Sequence, residues 1–187
     1  EKEGLKPAFY QLDIDDAASV ERLRDHLKDT FGGLDILVNN AAIAFKNDAK
    51  EPQAVQAEVT LKTNYFNTLR ACEILFPLLR PHARVVNVSS SAGFLGNVPS
   101  SELRAQLSAP DLTVEQLTTL MHQYIADTKA GVEKDKGWYG SSYGMSKVGL
   151  SALTRIQQRM FDADPGEGII VNHVHPGYVD TDMTSHK

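Results

Sequence analysis

The chain has 187 residues, enough for one domain with a substantial core, and its 42% hydrophobic and 23% charged residues are ordinary for a soluble globular protein. The formal net charge of -5, with acids and bases interspersed, argues against a nucleic-acid surface and favours a small molecule as partner. The single cysteine, Cys72, excludes an internal disulfide and fits the reducing cytoplasm, and no apolar run is long enough to span a membrane.

The first part of the chain alternates predicted strands and helices. Residues 7–12 read as a short strand, and the aspartates after it supply N-caps for a helix. This helix ends at the glycine pair 32–33, and four apolar residues recur in it at helical spacing: Val20, Leu23, Leu27 and Phe31. Residues 34–38 are apolar without polar alternation, which favours a parallel strand covered on both faces.

A long helix and another strand are predicted next. The helix extends from about Val55 to Leu79, with Pro77 and Pro81 at its end. Its core stripe contains apolar residues from four turns: Val59, Phe66, Leu69 and Ile74. The valine-rich residues 84–88 then predict a strand.

Residues 99–137 interrupt this alternation. Thr113 and Gln116 have the spacing of a capping box, which predicts a polar helix to about Thr128. We interpret this segment as an insertion rather than as a core layer. After it, residues 143–161 predict an amphipathic helix, Gly168 introduces a strand over 169–174, and residues 176–177 end that strand.

Strands that alternate with helices predict an α/β fold with an open, doubly wound parallel sheet, in one domain over residues 1–187. Ligands of such sheets bind beyond the carboxyl ends of the strands. Polar or turn residues follow four of the predicted strand ends, so we expect the site there: Asp13, Asn39 and Asn40, Ser89 and Ser90, and Pro176 with Gly177.

Tyr143 and Lys147 lie four residues apart, on one face of the predicted helix. The pattern alone is weak, because an exposed helical pair would have the same spacing. A neighbouring ammonium stabilises a phenolate, however, so Tyr143 can give its proton to a developing alkoxide. A serine from the strand end at 89–91 can donate to the same oxygen. Because side chains alternate along a strand, Ser90 points away from Ser89 and Ser91, and the sequence does not say which side faces the ligand.

Several longer motifs accompany these residues. They include Leu-Asp-Ile-Asp-Asp at 12–16, Gly-Leu-Asp-Ile-Leu-Val-Asn-Asn at 33–40, Lys-Thr-Asn at 62–64, Val-Val-Asn-Val-Ser-Ser at 85–90 and Pro-Gly-Tyr-Val at 176–179. With this set, the chain resembles the short-chain dehydrogenase/reductase family over essentially all its length, and within it the carbonyl reductase branch. The fold that this resemblance implies is Rossmann-like.

The resemblance also assigns catalytic roles. It places the catalytic serine at Ser90, followed by a glycine at Gly93, and the proton donor at Tyr143. Lys147 would tune the phenol and hold ribose hydroxyls. Asn64 would hold a water in a proton relay linked to the lysine.

The cofactor implied by the resemblance is NADPH. Asp13 would contact the adenine ring, Asn40 the adenine-side ribose region, and Val179 and Thr181 the nicotinamide carboxamide. Tyr143 and Lys147 would complete this cofactor site.

Structural roles remain open for several of these residues. Asn39 and Asn40 can satisfy neighbouring backbone groups in the sheet. Asp13 can be a helix N-cap, and Thr181 or Asp182 can cap a following helix.

Other candidates are weaker. Trp138, next to Tyr139, either lines the substrate pocket or packs in the core. His173 and His175 lack a third metal ligand, so we expect no metal site there. Cys72 is expected to be a packed thiol.

The function implied is NADPH-dependent reduction of ketones, aldehydes or quinones. The alternatives are a steroid or prostaglandin alcohol dehydrogenase of the same family and a catalytically inactive fragment or binding protein. In the carbonyl reductase branch, an insertion at 99–137 covers the helix that pairs in dimeric family members, so we expect a monomer.

Two departures from the family pattern stand out. Ala42 replaces the usual glycine of Asn-Asn-Ala-Gly, where a methyl can crowd the cofactor. The family's amino-terminal strand, glycine-rich phosphate loop and helix do not occur in the sequence, and family members continue beyond the position of Lys187. We therefore expect the chain to be an internal part of a longer enzyme, with the sheet incomplete at both ends.

Overall fold

A computed structural model describes residues 4, 6–46, 48–181 and 183 of the chain. Its strands are β1 (Leu34–Asn39), β2 (Leu79–Val88) and β3 (Ile170–Val174). Its α-helices are α1 (Ala17–Phe31), α2 (Gln53–Leu61), α3 (Thr68–Leu75), α4 (Ser101–Ser108), α5 (Val114–Lys129) and α6 (Ser142–Asp162). A π-helical turn, Lys62–Asn67, joins α2 to α3, and short 3-10 turns lie at Phe76–Leu78, Ser91–Gly93 and Leu95–Asn97.

The three described strands form a parallel sheet in the order β1-β2-β3. Val38 is opposite Val86, and Val86 is opposite Asn172. Helices connect successive strands, so the predicted α/β class with a parallel sheet is confirmed.

One face of this sheet is covered and the other is open in the part of the chain that the structure describes. Val85 and Val171 are buried under helices, whereas Ile36 and Val38 are 65% and 54% exposed. The prediction that β1 is covered on both faces is therefore wrong for these residues. Right-handed crossovers that move in one direction along a sheet place their helices on the same side, which explains the asymmetry.

The main core lies between α2, α5 and α6. Most of its fully buried large side chains come from these helices and from the π turn: Leu61, Tyr65, Leu117, Met121, Tyr124, Met145 and Leu153. The expectation that the insertion stands outside the core is therefore wrong. Leu117, Met121 and Tyr124 recur at helical spacing on α5 and form one wall of the core.

A second, smaller core lies under α1. Val20 packs with Ala71 and Leu75 of α3, next to Leu37 of β1. The ends of α1 follow the prediction, because the carboxylate of Asp16 accepts a hydrogen bond from Ala18 N and Gly32 ends the helix at φ 74°.

Three predicted elements differ from the structure. The strand predicted over 84–88 begins already at Leu79, the residue predicted to end the long helix. Residues 7–12 form no strand, and Phe9 is 90% exposed, because a strand needs a neighbour for its N–H and C=O groups and the described residues provide none there. The long helix is interrupted by the π turn, whose extra residue rotates the following helix. The expected stripe is not buried as predicted: Val59, before the turn, is 38% exposed, and Phe66, Leu69 and Ile74 are only partly buried.

The insertion is fastened to α6. Thr113 and Gln116 form the predicted capping box at the start of α5. The guanidinium of Arg155 donates to Leu107 O at 2.5 Å, and that of Arg159 donates to Pro110 O and Leu112 O. Among the described helices, none is long and apolar enough to cross a membrane.

Candidate active site

The carboxyl ends of the three strands meet at one edge of the sheet. Asn39 of β1 is opposite Asn87 of β2, and Val88 is opposite Val174 of β3. Ser89 N donates to Val174 O at 2.8 Å, so the serine segment starts beside the end of β3. Three of the four expected strand exits thus converge, whereas Asp13 follows no strand.

The three serines after β2 have different surroundings. Ser89 is buried and its hydroxyl bonds Lys147 O and Ser151 Oγ at 3.3 and 2.9 Å, which directs it against α6. Ser90 is partly exposed, and its Oγ accepts from Ala92 N at 3.2 Å, which leaves its own proton for donation. Ser91 is exposed. The sequence does not decide which side of the strand faces the ligand. In the structure Ser89 points towards buried partners on α6, whereas Ser90 is partly exposed at the end of β2.

Tyr143 lies in the first turn of α6. Ser141 caps this helix by accepting a hydrogen bond from Gly144 N at 3.0 Å. The ring of Tyr143 is partly buried, and Lys147 Nζ is 5.6 Å from its centroid. The phenol and the ammonium are therefore neighbours, as the four-residue spacing predicts.

Lys147 is buried at the end of β2. The residue is 3% exposed, and its Nζ donates to Val88 O at 2.7 Å. Desolvation lowers the pKa of Lys147 to about 8. An ammonium has three donors, and Val88 O is its acceptor among the described residues, so donors remain for a ligand.

Gly93 brings the serine turn into contact with α6. A Cβ atom at this position would lie 2.8 Å from the carbonyl carbon and oxygen of Lys147. Only glycine fits this approach. Ser90 and Lys147 are thus held on two elements that touch through Gly93.

Asn64 lies in the π turn and is 1% exposed. Its Oδ1 accepts from Ile43 N at 2.8 Å, and its Nδ2 donates to Ile43 O and Ser146 Oγ at 2.9 and 3.0 Å. The amide fastens the loop after β1 to α6. Its part in a proton relay stays a prediction.

The two asparagines after β1 differ. Asn39 Nδ2 donates to Asn87 Oδ1 at 2.8 Å and to Cys72 Sγ at 3.2 Å, which supports a structural role in the sheet. Asn40 is exposed at the strand exit and remains available to a ligand.

Asp13 is exposed and close to that exit. It is not the N-cap of α1, because Asp16 is, and its carboxylate instead accepts from Asp15 N at 2.9 Å. An apolar cavity of about 90 Å³ is lined both by Leu12 and Ile14 and by Asn40. The turn with Asp13 therefore lies beside Asn40 although it follows no strand.

Trp138 is 3% exposed and belongs to the core, with Nε1 donating to Asp127 Oδ2 at 2.8 Å. This favours packing over a place in the substrate pocket. Val179 and Thr181 are exposed after the turn at Gly177, whose φ is 82°. Asp182 lies outside the described residues.

Sequence reasoning missed Ser146 and Asp127. Ser146 Oγ links Asn64 to Tyr143 O, to which it donates at 2.7 Å. Its position three residues after Tyr143, on the same helix face, is the signal that would have found it. Asp127 gave no such signal, because two of its partners, Lys136 and Trp138, lie beyond the end of α5.

Cys72 is a packed thiol, 1% exposed, and burial raises its pKa to about 11. This agrees with its predicted role. Within the described ranges, no group of three or more His, Cys, Asp or Glu side chains could hold a metal ion.

Comparison with known proteins gives a consistent result. The family model for short chain dehydrogenase matches residues 1–133. Human carbonyl reductase [NADPH] 1 is 47% identical over 99% of this chain and 68% of its own length, and rat carbonyl reductase [NADPH] 3 is 48% identical over 97% and 66%. The structure of salutaridine reductase from Papaver somniferum has a TM-score of 0.83 at 32% identity, over 96% of this chain and 71% of that one. The chain thus spans about two thirds of these relatives.

Proposed function

Because the chain belongs to the short-chain dehydrogenase/reductase family, in its carbonyl reductase branch, we propose that it forms the catalytic part of an NADPH-dependent carbonyl reductase. The reaction is hydride transfer to a ketone, aldehyde or quinone. One observation carries the proposal: the buried ammonium of Lys147 lies beside the ring of Tyr143 and at the strand end that bears Ser90.

The residues present fit the nicotinamide-ribose half of NADPH. Lys147 has donors left for ribose hydroxyls, at the carboxyl ends of parallel strands, where such ligands bind. Val179 and Thr181 would meet the carboxamide. Asn40, which lines the cavity near β1, and Asp13, whose neighbours Leu12 and Ile14 line it, would receive the adenine side.

The bound cofactor supplies the hydride that attacks the carbonyl carbon. Ser90 donates its hydroxyl proton in a hydrogen bond to the carbonyl oxygen and orients it. Tyr143 gives its phenolic proton to the same oxygen as negative charge develops there. Lys147 stabilises the phenolate that remains, and Asn64 supports the return of a proton.

Substitution of Tyr143 tests this assignment. In the complete protein, Tyr143→Phe should lower kcat at least about 100-fold, because the general acid is removed. NADPH affinity should change little, since the ring and Lys147 remain. The measurements are NADPH oxidation with a quinone, followed by nicotinamide absorbance, and a fluorescence titration of NADPH binding.

Tyr65→Phe is the matched control, because it removes a phenolic hydroxyl from the core, where it bonds Thr118 Oγ1 at 3.1 Å. It should keep its turnover. Full activity of Tyr143→Phe would remove Tyr143 from the role of acid. A wild-type protein that reduces no carbonyl at all would instead favour a non-catalytic role.

A panel of substrates distinguishes the proposed carbonyl reductase from a steroid or prostaglandin alcohol dehydrogenase. Turnover of quinones and simple ketones supports the carbonyl reductase. Turnover restricted to steroid or prostaglandin alcohols, with NAD preferred, would support the related dehydrogenase. A cytoplasmic location stays a prediction from the single thiol.

A further inference from the structure

The insertion contains a buried carboxylate that the proposed chemistry does not use. Asp127 of α5 is 4% exposed. Its Oδ1 accepts from Gln123 Nε2 at 2.7 Å and from Lys136 Nζ at 2.6 Å, and its Oδ2 accepts from Trp138 Nε1 at 2.8 Å. Burial acts to raise the pKa of this carboxyl, but the three donors outweigh burial and lower it.

A series of contacts leads from this carboxylate to the start of α6. The ring of Trp138 packs edge-on against Tyr124, with centroids 5.7 Å apart. The Tyr124 hydroxyl lies 3.4 Å from Ser142 Oγ. Gln53 Nε2 donates to the same Ser142 Oγ at 3.0 Å and to Gly140 O at 3.1 Å.

Ser142 is the first residue of α6, and Tyr143 is the next. The first turn of a helix lacks intrahelical partners for its N–H groups and frays most easily. A proton donor placed in that turn needs support from outside the helix. The contacts of Ser142 supply it from α2 and from the insertion.

We propose that Asp127 and Trp138 form a positioning clamp, through which the insertion fixes the first turn of α6 and so holds the Tyr143 phenol in place for proton donation. This inference rests on the proposed reductase function. Asp127 and Trp138 are positioning residues, because they act through Tyr124 and Ser142 and not on the substrate.

Trp138→Phe tests the clamp, because it keeps an aromatic ring but removes the donor to Asp127 Oδ2. In the complete protein, kcat should fall about tenfold, since misplacement of a reacting group by a fraction of an ångström is costly. The KM for NADPH should stay unchanged. The deuterium isotope effect with 4-deuterated NADPH should rise, because the chemical step becomes slower relative to product release.

Leu117→Ala is the control for stability alone, since Leu117 is fully buried on the same helix but makes none of the clamp's hydrogen bonds. It should lower Tm while leaving kcat per folded molecule and the isotope effect at their wild-type values. A rise in the isotope effect of Leu117→Ala equal to that of Trp138→Phe would overturn the proposal.

Ser142→Ala gives a second test if Trp138→Phe folds poorly. It should reproduce the lower kcat and the higher isotope effect, and the double variant should lose less than the product of the single losses, because both changes loosen one turn. Wild-type kcat and isotope effect in Ser142→Ala, or simple multiplication of the losses, would contradict the clamp. Failure of the reductase function itself is distinguishable, because wild-type protein would then turn over no carbonyl.

Discussion

Burial of the Lys147 ammonium affects both the stability of the protein and the proposed chemistry. Burial lowers its pKa from 10.5 to about 8. Between these two values the unfolded chain binds more protons than the folded one, so this group's contribution to stability becomes more favourable as pH rises from about 8 towards 10.5. Below pH 8 the folded protein holds a charged, desolvated lysine, which costs stability but keeps the charge that the phenolate needs.

The same titration should lower the activity as pH rises, although it makes the contribution of Lys147 to stability more favourable. We expect kcat for carbonyl reduction to be constant at neutral pH and to fall above pH 8, as Lys147 loses its proton. Lys147→Arg should have a lower plateau, because a guanidinium does not match the site of an ammonium, but its alkaline limb should disappear. The pH profile of NADPH oxidation measures both effects, and a wild-type rate that stays constant well above pH 8 would contradict them.

The contact at Gly93 yields a prediction with a close internal control. Gly93→Ala places a methyl 2.8 Å from the backbone of Lys147, so the serine turn or α6 must move. We expect a loss of about 1–3 kcal/mol in the free energy of unfolding, as for other overpacked sites, and a lower kcat. Gly96→Ala, where an added Cβ meets no atom within 4 Å, should keep both quantities. Equal behaviour of the two variants in thermal melts and assays would argue against the contact.

At the level of elements, the π turn supports two segments on the adenine side of the proposed cofactor site. Asn64 within it fastens the loop after β1. Thr63 Oγ1 and Asn67 Nδ2 donate to the carboxylate of Asp15 at 3.1 and 2.7 Å. The same turn thus supports the residues after Asn40 and the turn that contains Asp13, which fits the frequent use of π turns at functional sites.

Loss of the Asp15 carboxylate should therefore affect cofactor binding more than chemistry. We expect Asp15→Ala to raise the Kd of NADPH several-fold, because the turn with Asp13 is released, while kcat at saturating NADPH remains near the wild-type value. A fluorescence titration measures the Kd of NADPH, and steady-state kinetics measure kcat. The control is Asp25→Ala, on the exposed side of α1, where Asp25 bonds Arg24. An equal change in Kd in this variant would contradict a specific effect through the turn with Asp13.

The elements also show what a sequence can predict here. Helix ends followed from local chemistry, at Asp16, Gly32 and the Thr113 capping box, and the valine-rich strand was evident from composition. The false strand at 7–12 had the right local residues, but pairing is a property of neighbours. The π turn adds a single residue, which no periodicity displays.

The site was predictable to a similar depth. The spacing of Tyr143 and Lys147 gave their common helix face, and strand alternation separated Ser90 from Ser89. Only the buried partners of Ser89 on α6 indicate which serine stays at the strand end. The role of Asp127 depends on residues up to 15 positions away along the chain that meet only after folding.

For the whole molecule, the insertion determines which surfaces remain for assembly. Thirteen of the 21 residues of α6 are buried, and Arg155 and Arg159 bind carbonyls of the last turn of α4 and of the segment between α4 and α5. Guanidinium groups that satisfy three carbonyl oxygens hold this segment against the helix. The helix that would pair with its twin in a dimer is already covered from within the chain.

We therefore expect the complete protein to sediment as a monomer over a wide concentration range. Replacement of both arginines, Arg155→Met with Arg159→Met, should loosen the segment and expose apolar surface of α6, because the carbonyls lose their donors. The double variant should then associate as its concentration rises, while Arg24→Met, at the surface of α1, should not. Sedimentation velocity distinguishes these cases. A wild-type dimer that persists on dilution would contradict this prediction. It would mean that another surface mediates assembly, since α6 could pair only if the insertion moved away from it.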